Sequence, residues 1–215
     1  MRSGPTSSIS RFWANLDGAV HPLDRPIFDA NPHHTFNLCF PPPAFVGAID
    51  SAPIVILLSN GGYTSGVTEA EFPDTNSEAD FRNYLRGEIA ELPPHLASYY
   101  VNGRFSNWIK SGSAVIVNAV PYRSRRLSEE KENRRVAGML QSLAVHRRWL
   151  TEEVLPEARE ERRFVLVHRN GWWKVPDASA GRCILFSDPA RAEPNRKTPD
   201  EEKLALAEQW LRRRG

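Results

Sequence analysis

The chain has 215 residues, a formal net charge of +2 and a pI near 8.6. Its length suits one domain with a sizeable core, and its ordinary apolar and charged content places it with soluble globular proteins. Its two cysteines, Cys39 and Cys183, have no Cys-x-x-Cys partner. That argues against an iron–sulfur cluster or structural zinc and fits a reducing, cytoplasmic setting. No apolar run reaches the length of a membrane span and no signal pattern opens the chain, so no membrane is expected. The weak positive charge permits nucleic acid as a partner without demanding it. Arginines do cluster, at Arg123, Arg125 and Arg126, at Arg134 and Arg135, and at Arg212 to Arg214.

Taken in order, residues 1–52 read as an irregular arm that wraps the core, with a short helix beginning near Ser10 and an extended Pro41-Pro42-Pro43 run. His33-His34 lacks a third ligand nearby and is expected to pack rather than hold metal. Residues 53–58 form an unbroken apolar run with β-branched Ile54, Val55 and Ile56, the signature of a strand buried on both faces of a parallel sheet. Ser59-Asn60-Gly61-Gly62-Tyr63 then reads as a glycine turn at the strand's carboxyl end. Asn-Gly is also the strongest hairpin signal, but Tyr63 to Glu69 lacks the alternation of a returning strand. A helix is predicted from Thr75, capped with Glu78, presenting Phe81, Tyr84, Leu85 and Ile89 and ending at Pro93-Pro94.

A second buried strand, Ala114 to Val117, ends in Asn118-Ala119-Val120-Pro121-Tyr122, and a basic loop follows from Arg123 to Leu127. Helix is expected from about Ser128, turning Val136, Met139, Leu140 and Leu143 inward. A further helix carries Trp149, Leu150, Val154 and Leu155. The third strand is Phe164 to His168, leading into Trp172-Trp173. The fourth is Cys183 to Phe186, ending in Ser187-Asp188-Pro189-Ala190-Arg191. Thr198, Pro199 and Glu201 start a terminal helix. Four apolar strands separated by helices predict a three-layer α/β/α domain spanning residues 1–215 around a four-stranded parallel sheet. Ligands of such sheets bind beyond the strands' carboxyl ends.

Together, the strand-end turns resemble the uracil-DNA glycosylase superfamily. The first turn, Leu58-Ser59-Asn60-Gly61-Gly62, keeps that family's Asn and final Gly but lacks its leading Gly and its Pro. Val117-Asn118-Ala119-Val120 is similar to the family's base-reading strand end. Asp188-Pro189-Ala190 with Arg191 matches the family's His/Asn-Pro-Ser motif and the residue that enters the duplex. The resemblance runs from about Pro42 to the C-terminus and implies a uracil-DNA glycosylase-like fold.

The activity it implies is excision of an extruded base from DNA, with RNA or a free nucleotide as other partners. No cofactor or metal is needed, and a monomer is expected. Asn60 would orient the attacking water; otherwise it caps its own turn. Asn118 offers the donor and acceptor that a base edge requires. Gly62 leaves space where some relatives place a Tyr that excludes a methyl group. Ser59 and Gly61 complete the turn, and Tyr63 and Phe72 are candidates to stack on the base, although core packing is the default for either. Asp188 would face the departing base, where relatives have a donor; an ionised carboxylate only accepts. Arg191 would enter the duplex, touch phosphate or pair with Asp188. A binding module that senses a base without cutting it is the second expectation, and an enzyme on free nucleotides the third.

Overall fold

The computed structural model describes residues 6–187 and 200–214. Its sheet has five strands in the order β1-β3-β2-β4-β5: β1 Phe45–Gly47, β2 Ile54–Gly62, β3 Ala114–Ser124, β4 Phe164–Val167 and β5 Ile184–Phe186. The chain is therefore α/β. The β-branched run lies at the centre, and Ile54 to Leu57 are fully buried because helices and neighbouring strands leave them no solvent. The four expected strands pair in parallel. The sheet also gains a fifth, because β1 pairs antiparallel with β3. Three residues after a proline run are too few to show a period, so the sequence did not announce it.

Both site-bearing strands outrun their predicted ends. Asn60 pairs with Val120 and Gly62 with Ser124, so the expected glycine turn is still strand. Between those pairs β2 advances two residues and β3 advances four, which makes a bulge around Pro121, whose missing N–H could not serve the ladder. Arg123 and Ser124 thus belong to β3 rather than to a basic loop. Gly61 is needed for contact: a Cβ there would meet Pro43 Cγ at 2.3 Å.

Ahead of β1, helices α1 (Ser8–Trp13) and α2 (Arg25–Asp29) make the N-terminal segment more regular than expected. Ile9, Trp13, Leu16 and Phe28 from this segment are buried in the core. The His34 ring sits against Phe28 and Phe36, a packing role. After β2 come α3 (Val67–Glu71) and α4 (Thr75–Leu85). The cap of α4 is Asp74 with Ser77, not Thr75 with Glu78: the Asp74 carboxylate accepts from Ser77 N at 2.8 Å. The helix stops at Leu85, where Gly87 takes φ +74°, so Ile89 lies beyond it.

Helices α5 (Ser98–Val101) and α6 (Ser106–Lys110) lead into β3, and α7 (Lys131–Ala137) and α8 (Gln141–Trp149) follow it. Val136, Leu140 and Leu143 are buried as expected, but Met139 falls in the break between α7 and α8 and is exposed. A π-helical turn, Leu150–Val154, joins α8 to α9 (Leu155–Arg159) just ahead of Pro156, which has no N–H to continue an α-helical ladder. Helix α10 (Asn170–Trp173) follows β4, and α11 is Asp200–Arg212. Thr198 and Pro199, expected to start α11, lie outside the described residues.

Candidate functional site

A cleft of about 640 Å³ opens along the carboxyl ends of β2 and β3. Ser59, Asn60 and Gly62 of β2 and Asn118 and Ser124 of β3 line it. Short helices α3 and α5 contribute Glu71, Tyr99 and Tyr100, and α10 contributes Trp172. Arg125, Arg126 and Arg169 stand at its walls.

Asn118 pairs with Leu58 across the parallel ladder, with its side chain at the inner end of the cleft and only 1% exposed. Its Nδ2 donates to Pro43 O at 2.6 Å, and its Oδ1 has no hydrogen-bond partner among the described residues. A buried amide oxygen left unpaired costs free energy, so an acceptor held ready at the bottom of a cleft favours a ligand that brings an N–H.

Two aromatic residues fix this floor from behind. Trp173 Nε1 donates to Leu58 O at 2.7 Å. His146 Nε2 accepts from Trp13 Nε1 at 2.8 Å, so its proton sits on Nδ1, which donates to Asn118 O at 2.8 Å. Complete burial lowers the His146 pKa to about 4, which keeps the ring neutral.

Asn60 is tied by its own neighbours. Its Nδ2 donates to Gly61 O at 2.8 Å and to Ser124 Oγ at 3.0 Å, while Oδ1 accepts from Ser59 Oγ at 3.2 Å. The two donor positions of its amide are thereby taken, and an Oδ1 lone pair is left for water. Gly62 is open: a Cβ there meets nothing within 4 Å among the described residues.

Beside Gly62 the cleft wall carries a buried ion pair that the sequence did not indicate. Arg123 reaches Glu71 through two bonds, NH1 to Oε1 at 3.2 Å and NH2 to Oε2 at 2.8 Å, and NH1 also donates to Gly62 O at 3.3 Å. Burial pushes the Glu71 carboxyl above its ordinary value, with Arg123 opposing that rise. Arg123 Nε has no partner among the described residues. The Tyr100 hydroxyl lies beside the Asn118 amide and feels the charges of both Arg123 and Glu71. Burial raises the Tyr100 pKa, so the phenol keeps its proton.

Of the residues singled out from sequence, Ser59, Asn60, Gly62 and Asn118 meet in the cleft. Gly61 faces Pro43 instead. Tyr63 donates to Glu69 Oε1 at 3.0 Å, and the Arg125 guanidinium lies 5.8 Å from its ring centre, outside the cleft lining. Phe72 is core: it stacks on Phe40 at 5.1 Å and meets Phe81 edge-on. It therefore packs in the core rather than facing the cleft, and among the described residues Tyr99, Tyr100 and Trp172 are the aromatics that line the cleft. Asp188 and Arg191 lie outside the described residues.

No group of three or more His, Cys, Asp or Glu among the described residues is placed to hold a metal. Nor is any helix among them long and apolar enough to cross a membrane. No protein-family model, curated protein or solved structure matches the chain.

Proposed function

We propose that this is a uracil-DNA glycosylase-like protein whose cleft receives an extruded nucleobase of DNA and hydrolyses its bond to deoxyribose. The observation that carries the reading is the shared cleft of Asn60 and Asn118, which stand two residues apart in register on adjacent parallel strands. In this reading Asn118 Oδ1 accepts from the base edge and Asn60 Oδ1 holds the water. Tyr99 or Trp172 covers the base face, and Arg125, Arg126 and Arg169 meet phosphates. The order of the three strand-end motifs and the mostly parallel sheet support the fold assignment.

A second reading, recognition without cleavage, is favoured by Asn60, whose amide hydrogens are already engaged, and by Asp188, which as a carboxylate cannot donate to a departing base. One experiment separates the two. The protein is incubated with oligonucleotides bearing uracil, hypoxanthine, xanthine or a thymine mismatch, then treated with alkali. Strand scission at the modified base supports excision; tight binding without scission supports the sensor.

A further inference from the structure

We infer that Tyr100 is a catalytic residue of this cleft, its hydroxyl donating the hydrogen bond that stabilises negative charge on the departing nucleobase. The inference rests on the base-excision reading. It answers the question that reading leaves open, which is what replaces the donor missing at Asp188.

Four buried polar groups converge on one patch of cleft wall: Glu71, Tyr100, Asn118 and Arg123 are 6%, 5%, 1% and 3% exposed. Packing alone gives no reason to gather them, since each costs desolvation. Tyr100 comes from α5, a four-residue helix whose placement brings the phenol beside Asn118, the residue assigned to the base edge. A base held by Asn118 therefore lies within the neighbourhood of that hydroxyl.

Most of the other nearby donors are committed, Arg123 Nε excepted, which has no partner among the described residues. Asn60 Nδ2 serves Gly61 and Ser124, and both terminal nitrogens of Arg123 serve Glu71. Tyr100 is neutral and keeps its proton, so it offers a donor and no repulsive charge. The adjacent Arg123 guanidinium adds positive potential at the same place, partly offset by Glu71.

In the step itself the C1′–N bond breaks and its electron pair passes to the base, spreading onto a carbonyl oxygen that accepts from Tyr100. Water oxygen bonds to C1′, the water proton leaves to solvent, and the base takes a proton from solvent. Tyr100 keeps its own proton throughout, acting as an oxyanion-hole donor.

The test compares wild type with Tyr100→Phe in single-turnover release of uracil and of 5-fluorouracil from otherwise identical oligonucleotides. The variant is expected to release uracil about 10²–10³-fold more slowly, the size of one oxyanion donor, with oligonucleotide affinity unchanged. The loss should be smaller for 5-fluorouracil, because fluorine already stabilises the base anion. An equal loss for both bases would mean that Tyr100 only shapes the cleft, and would overturn the inference. Undiminished uracil release by the variant would overturn it too, leaving excision intact. A wild type silent on both substrates would overturn the excision reading and the role of Tyr100 together. Should Tyr100→Phe fail to fold, Tyr100→His, which retains a donor, carries the same two-base comparison and should keep most of the activity; a loss in it equal for both bases overturns the inference.

Discussion

His146 donates through Nδ1 to the carbonyl of Asn118, and only a neutral ring can do so while Nε2 accepts from Trp13. The backbone of the residue assigned to the base edge is thus anchored by a histidine that must stay uncharged. The folded pKa of about 4 lies below the ordinary 6.5, so the unfolded chain binds the proton first as pH falls. The stabilising contribution is complete above pH 6.5 and is lost as pH drops toward 4, amounting to about 3 kcal/mol over that window. Urea midpoints at neutral pH and near pH 4 should show this fall in wild type, and His146→Gln should flatten it. An unchanged slope in the variant would assign the acid sensitivity to other groups.

Glu71 and Arg123 form a buried ion pair in the cleft wall. Removing one partner leaves the other charge buried and alone. Glu71→Gln and Arg123→Met are each expected to cost about 3–5 kcal/mol of stability. The double variant should cost less than the two losses added together, as a double-mutant cycle by chemical denaturation would reveal. Additive losses would mean that the pair contributes nothing as a pair.

The two glycines of β2 make opposite demands. Gly61→Ala forces a Cβ into Pro43 and should destabilise the fold by about 1–3 kcal/mol, measured by thermal or urea unfolding. Gly62 has open space around it, so Gly62→Tyr should fold normally and narrow the cleft. Its affinity for oligonucleotides bearing a 5-substituted pyrimidine or a purine should fall more than for uracil. Equal loss for both sizes would remove Gly62 from the specificity argument.

The four parallel strands were legible because apolar runs buried on both faces need no periodicity to be recognised, whereas β1 was not. Asn60, Gly62 and Asn118 were legible for a related reason: a polar residue closing such a run stands at the sheet's carboxyl edge. Glu71 and Tyr100 were not, since α3 and α5 are helices of five and four residues with no amphipathic stripe to place them. Arg123 was misread because Pro121 signals the end of a strand, whereas here it sits in a bulge and the pairing resumes beyond it. Phe72 was ambiguous for the opposite reason: an aromatic near a binding turn and an aromatic in a core look alike until their neighbours are known.

Arg125 and Arg126 are exposed on the cleft rim and Arg169 is half-buried beside it. If they meet phosphates, log affinity for an oligonucleotide should fall linearly with log salt, and replacing any one of them with Ala should reduce that slope by about one. Fluorescence anisotropy across a salt series reads this directly. A salt-independent affinity would remove DNA phosphate from the reading and leave a small ligand.

The two anchors behind Asn118 and Leu58 also bear on how the molecule assembles. Trp13 and His146 are 133 residues apart, and Leu58 and Trp173 are 115 apart. During synthesis the central strand leaves the ribosome long before either fastening can form. The cleft floor is therefore completed late, once more than three-quarters of the chain has been made. Closing such long loops is slow, so refolding belongs with milliseconds to seconds rather than microseconds, roughly as for other topologies rich in distant contacts. Until then the apolar β2 run has to be kept from the edges of neighbouring nascent chains, which makes the interval before α10 docks the vulnerable one for aggregation.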